Sequence, residues 1–282
     1  MMPSEDSLPD LVAPVMVCAF SGWNDAGEAA SSAVEHLALT WDARPYATLE
    51  GEEYYDFQVN RPQVSLVDGV SRRITWPGVD ISIARMPSSG RDLVLVSGPE
   101  PNLRWLTFCE EILDVVRDLG VERLVLLGGL STDSHFERRV PVSGSAWDAR
   151  SAARYALAAT RYEGPTGVTG LLHHLAVRSG FEAVSFWAGT PYYVSAPVWS
   201  PATVALLRRV EQVIGEDIPL GTLDQQAAAS IDAVRALVDA DPSMREHIDA
   251  LADEPEIDST TADELAAEFE RYLRRHDDDG KG

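Results

Sequence analysis

The chain has 282 residues, is 45% hydrophobic and carries a net charge of −22, so it can bury the core of one large domain while its acidity excludes nucleic-acid binding through phosphate neutralisation. No run approaches the roughly 18 apolar residues of a membrane helix, and the acidic start MMPSEDSLPD lacks the pattern of a signal peptide. All but one of the 23 basic residues are Arg, the exception being Lys281, which removes a P-loop lysine, a kinase strand lysine and a Schiff-base lysine from the core.

Residues 1–11 read as a disordered tail. The run 14–20 reads as a strand with no polar break, as in a sheet covered on both faces. It breaks into FSGWNDAGEAA (20–30). Asp25 and Glu28 fit an Asp-x-x-Glu capping arrangement for a helix over 26–39, whose inner face would be Ala29, Ala30, Ala33, Val34 and Leu37. Capping leaves Trp23 and Asn24 unexplained. An indole and an amide at the carboxyl end of a strand lie where open α/β sheets bind ligands.

Further strands are predicted at 43–49, 63–67 and 79–84. Between the first two lies GEEYYDFQVNRP (51–62), where Glu53, Asp56 and Arg61 alternate with Tyr54, Tyr55 and Phe57. It reads either as an exposed aromatic loop or as a rim offering rings and carboxylates to a ligand or partner. After a strand at 93–97, SGPEPNLRW (97–105) gives a rigid loop, with Asn102 as N-cap of a helix over 103–119. Glu100 and Arg104 flank that junction and could pair. If the strands are parallel, Glu100 shares a sheet edge with Asp25, and the two are candidates for acid–base work.

A strand at 123–127 leads into GGLSTDSHFERR (128–139). Asp133 and His135 lie close to Ser131 and Ser134, but no Gly-x-Ser-x-Gly elbow accompanies them, so a solvated loop is the default. YEGPTGVTGLLHH (162–174) opens a helix over 167–179 after a Gly-rich turn that includes Thr166. Such an N-terminus can hold an anion, although no lysine is near to help. His173 and His174 are neighbours about 100° apart on a helix, so one faces the core and one the solvent. The last strand is expected at 181–187.

The alternation of strand and helix predicts an α/β/α three-layer sandwich over 12–215. Helices follow at 203–214, 223–238, 243–251 and 262–274. Residues 216–275 therefore read as an acidic helical appendage, and 276–282 as a disordered tail. From residue 216 onward there are 19 acidic and 6 basic residues, a net −13. Cys18 and Cys109 sit in apolar contexts, as buried thiols of a cytoplasmic protein do. No Cys/His spacing suits a metal, and no cofactor is expected.

Taken in order, FSGWNDAG, EEYYDF with the later RP, GPEPNLRW, GGL, RYEGPTGVTGLLH and WAGTPYYV resemble the PAC2 family, the proteasome-assembly-chaperone-like family, in its actinobacterial branch. The resemblance implies a phosphorylase/hydrolase-like α/β/α fold and self-association as a homo-oligomer, plausibly a trimer. It implies a non-enzymatic assembly or interaction protein with proteasome subunits among its partners. The alternative is a hydrolase or phosphorylase-like enzyme acting on a small polar metabolite, with Asp25 or Glu100 as general base. Where the family often has Pro-His-Tyr, this chain has Pro191-Tyr192-Tyr193; and where proteasome-docking chaperones often end in a hydrophobic residue, Tyr and one more residue, this sequence reads Asp-Gly-Lys-Gly, so docking by such a tail is not expected. The site expected from the sequence comprises Trp23, Asn24, Asp25, Glu53, Asp56, Arg61, Glu100, Arg104, Asp133, His135 and Thr166.

Overall fold

A computed structural model describes residues 10–252 apart from Val70 and Arg161. The expected helix at 262–274, the tail at 276–282 and most of the 1–11 tail lie outside the described residues.

Seven strands form one mixed sheet: β1 (Val15–Ser21), β2 (Arg44–Glu50), β5 (Gly78–Arg85), β6 (Asp92–Pro99), β7 (Arg123–Thr132), β8 (Val142–Ala146) and β9 (Glu182–Pro191). Their order is β2-β5-β6-β1-β7-β9-β8. The central four, β6, β1, β7 and β9, are parallel. The flanking strands β5 and β8 run antiparallel to their inner neighbours, so the sheet is parallel only at its centre. The central strands are continuously apolar because both faces are covered. Along β1, Val15, Val17 and Ala19 face one core while Met16, Cys18 and Phe20 face the other, the alternation any strand imposes.

On one face lie α1 (Ala29–Thr40) and α5 (Ser200–Ile214); on the other lie α2 (Trp105–Asp118) and α4 (Val168–Arg178). Helix α1 buries Ala29, Ala30, Ala33, Val34 and Leu37, the face its spacing predicts. In α2 the predicted Ile112, Leu113 and Val116 are buried, whereas Leu106 is exposed at the helix start. Burial pushes the Cys109 thiol up to about 12, and that of Cys18 up as well; both are free. A short helix, α3 (Ala149–Arg154), capped by Asp148 onto Ser151, has no counterpart in the sequence reading.

The C-terminal helices α6 (Leu223–Ala240) and α7 (Pro242–Ala252) add to the α1–α5 layer. Their Leu223, Val234, Val238 and Ile248 belong to the same buried cluster as α1 and α5. Glu216 holds the loop before β6, accepting from the Ser88 amide at 2.8 Å and the Ser89 hydroxyl at 2.7 Å.

The run at 63–67 does not join the sheet. It forms β3 (Gln63–Val67), paired antiparallel with β4 (Ser71–Thr75) as a separate hairpin. Both strands are almost wholly exposed, since each pairs only with the other and neither packs on the sheet.

Two leucines therefore answer differently to truncation. Leu206→Ala, in the α5 core, is expected to cost about 2–5 kcal/mol. Leu66→Ala, on the hairpin, is expected to stay within about 0.5 kcal/mol of wild type when both are compared as monomers. Urea unfolding of the full chain measures both, and equal losses would contradict this placement of the core.

Candidate functional site

Parallel pairing brings the carboxyl ends of β6, β1, β7 and β9 to one edge. Ser21 is in register with Pro99, and an isolated bridge between Asp25 and Gly129 carries the β1–β7 pairing past the turn at Gly22. A Cβ on Gly129 would lie 2.5 Å from the Ala26 carbonyl, so only glycine permits this approach.

Asn24 is 1% exposed. Its side-chain amide donates to Glu100 Oε1, and the same oxygen accepts the Val168 amide at 2.8 Å, at the first turn of α4. The Asn24 amide group lies flat on Gly167, where a Cβ would come within 2.2 Å of it. Its backbone carbonyl accepts the Gly129 amide at 2.8 Å. Asn24 thus ties together the ends of β1 and β7, the β6 loop and α4. Burial raises the Glu100 carboxyl above the ordinary range, against the opposing effect of its two donors. The helix N-terminus favours a negative charge there, and Glu100 fills that seat. The anion position that the Gly-rich turn suggested is occupied from within.

Asp25 points to the opposite face. Its Oδ1 accepts the Ala30 amide at 2.7 Å, and Oδ2 accepts the Ser31 hydroxyl at 2.5 Å. It caps α1, but the expected reciprocal box does not form. Glu28 occupies the N-cap position with φ of 47° and makes no side-chain cap. Burial also pushes the Asp25 carboxyl upward, against its hydrogen bonds. Asp25 and Glu100 share an edge, as expected, but not a site.

Arg104 does not pair with Glu100. It is the N-cap residue of α2, with φ of 54°, and its guanidinium meets Glu53 in an exposed ion pair. Asn102 does not cap the helix. Its Oδ1 accepts the Asp56 amide at 3.0 Å and the Asn60 side chain at 2.9 Å, which pins the 51–62 loop. Tyr54 and Tyr55 are not displayed: both are buried, with the Tyr55 hydroxyl donating to the Pro99 carbonyl at 2.9 Å. Arg61 lines a separate cleft at the root of the hairpin, with Trp76 and Pro99. Asp133 and His135 sit beyond β7; His135 accepts the Glu137 amide at 3.2 Å and stacks on Phe136.

Beside the Asn24 junction opens a cavity of about 530 Å³. Trp23, Asn24 and Thr166 are the expected residues that line it. The other walls come from Gly129 and Ser131 on β7, Ser143 and Ser145 on β8, Ser185 and Trp187 on β9, the 156–167 connector with Tyr162, and His173 on α4. Trp187 takes its place because a Cβ on Gly128 would sit 2.2 Å from its ring. His173 is half-buried while His174 is exposed. Burial lowers the affinity of His173 for a proton, and its Nε2 lies 3.2 Å from the Ala183 carbonyl oxygen. Ser143 and Ser145 escaped the sequence reading because Val142–Ala146 is too rich in small polar residues to read as a strand. Among the described residues no cluster of three or more His, Cys, Asp or Glu could hold a metal, and no helix is long and apolar enough to cross a membrane.

A family model described as the PAC2 family matches residues 19–238. Among solved structures, the Mycobacterium tuberculosis proteasome-assembly chaperone homologue is 49% identical, with a TM-score of 0.78 over 83% of this chain and 99% of that one. A PAC2 family protein from Streptomyces avermitilis matches with the same values. At 19% identity, an archaeal proteasome activator from Pyrococcus furiosus shares the fold, with a TM-score of 0.67 over 81% of this chain and 95% of that one. No match is found among curated proteins.

The Glu100 geometry sets a pH dependence. A carboxyl raised in the folded state contributes stability below its unfolded pKa of about 4.3, and loses it as pH rises through the folded value. Glu100→Gln retains an acceptor oxygen without the charge, so its stability relative to wild type is expected to increase from pH 4 to pH 7. Glu100→Ala removes the acceptor and is expected to lose about 1–3 kcal/mol. Urea unfolding across that range checks both; a Gln variant that weakens relative to wild type with rising pH would contradict the raised carboxyl.

Proposed function

This chain belongs to the PAC2 family, and on that premise we propose that it is a non-enzymatic assembly or interaction protein that forms a homo-oligomer, a trimer, and engages proteasome subunits. The observation that carries this reading is the β3–β4 hairpin. Val64, Leu66 and Ile74 are 63%, 65% and 56% exposed. Val64 stands opposite Ile74, and Leu66 follows two residues along, so the three share one face. A two-stranded hairpin alone is marginally stable, and an apolar face left in water marks an interaction site. Trp76 at its root is also half exposed and packs on Phe57 at 4.9 Å.

Charge supports a protein partner. Arg61, Arg72 and Arg73 cluster on this arm of a chain whose net charge is −22, so the arm complements acidic surfaces, including that of a second copy. The 49%-identical relative is described as a proteasome-assembly chaperone homologue, which is the ground for naming proteasome subunits. The Mycobacterium and Streptomyces relatives support an actinobacterial origin. Buried free thiols support a cytoplasmic setting. The enzyme alternative has less support, because both nominated bases are committed: Asp25 to α1 and Glu100 to Asn24 and α4.

The double variant Leu66→Asp/Ile74→Asp tests the reading. Light scattering after size exclusion is expected to show wild type as a trimer and the variant as a monomer that still unfolds cooperatively, with a melting temperature lowered only by the lost assembly. Wild type, but not the variant, is expected to capture proteasome subunits from an actinobacterial lysate. A monomeric wild type that captures none, or captures them regardless of the hairpin, would contradict it.

A further inference from the structure

We propose that the cavity beside Asn24 is a binding site for an uncharged aromatic-ring compound bearing hydroxyl or amide groups. The site is separate from the hairpin and independent of the assembly reading.

Its size of about 530 Å³ lies within the range of pockets that enclose small organic ligands, roughly 300–1,000 Å³. Its lining combines rings with small hydroxyl side chains. Trp187 and Tyr162 are part-buried in its walls, and Trp23, 47% exposed, stands at the edge. Ser131, Ser143, Ser145 and Thr160 bring hydroxyls. Flat indoles take a flat ring by stacking, and hydroxyls both donate and accept.

The argument for an uncharged ligand is electrostatic. Among the described residues, no Asp, Glu, Arg or Lys lines the cavity. The helix end that would ordinarily receive an anion is already filled, since Glu100 accepts the Val168 amide at 2.8 Å. A phosphate or carboxylate entering there would find that helix end taken and no cation among the described lining residues, inside a chain of net charge −22. A cation fares no better, because Glu100 stands behind the buried Asn24 and outside the lining. A charge taken from water into this space would have no partner of opposite charge among the described lining residues, which is costly, whereas a neutral ring loses little. The hollow is also built: the glycines at 128, 129 and 167 sit where a Cβ would strike Trp187, Ala26 or Asn24.

Fluorine NMR with matched pairs of probes tests the proposal. The pairs are 5-fluoroindole-3-acetamide against 5-fluoroindole-3-acetate, and 4-fluorophenyl glucoside against its 6-phosphate; the first supplies an amide, the second hydroxyls. At least one uncharged member is expected to bind at sub-millimolar concentration, with its charged partner about tenfold weaker or more, a difference of about 1.4 kcal/mol. Ala158→Trp, which fills the cavity from an exposed connector position, is expected to abolish that binding. Trp23→Ala is expected to weaken it about tenfold, and melting temperatures establish that both variants fold. Absence of binding by both uncharged probes, equal binding of the charged members, or binding unchanged in Ala158→Trp would each overturn it.

Discussion

Asn24 is buried where parallel strands end, and a buried amide must find partners or carry a penalty of several kcal/mol. Its side-chain NH2 donates to Glu100, which also holds the first amide of α4, while among the described residues its Oδ1 finds no donor. Its backbone carbonyl receives the Gly129 amide. Three loops and a helix are thereby fixed around one side chain, and the cavity is the space left beside them. The neighbouring residue has the opposite duty. Past the turn that Asp25 closes onto Gly22, its carboxylate turns to the α1 layer and caps that helix. Alternation along β6 puts Glu100 with Val94 and Val96, on the side of α2 and α4. Two carboxylates at one sheet edge are therefore kept apart by the sheet itself.

This division gives the molecule two different surfaces. At the strand ends, buried hydrogen bonds and glycine contacts hold a ring-lined hollow with no Asp, Glu, Arg or Lys among its described lining residues. On the hairpin, an apolar stripe and three arginines stand in solvent with nothing from the described chain covering them. Inward-facing polar groups preorganise a small site, whereas outward-facing apolar groups need a second macromolecule. The acidic helices α6 and α7 belong to neither surface, because their apolar residues complete the α1–α5 layer.

Much of the layered fold was legible in the sequence. The continuous apolar runs at β1, β6, β7 and β9, alternating with helical spacing, identify a sheet covered on both faces, and the buried stripe of α1 follows from its period. The hairpin's separation was not legible, because Gln63–Val67 has strand composition whether or not it joins the main sheet. Strand β8 was hidden by its composition, VSGSA, whose serines face the cavity where bulky residues would fill it. At the site, Asn24 and Glu100 stood out as polar residues on strand-end loops. Their bond depends on β1–β6 register, and Arg104 looked like the nearer partner for Glu100. Spacing along the chain favours a local ion pair; the fold instead places Arg104 beside Glu53, 51 residues earlier.

The central claim is that the Asn24–Glu100 contact makes the strand ends a rigid unit with the core. Native-state hydrogen exchange of the full chain measures it directly. The amides of Gly129 and Val168 are expected to exchange as slowly as those within β1 and β7, and Glu100→Ala should release Val168 while leaving the strand amides protected. Rapid exchange of both amides in wild type would contradict the account.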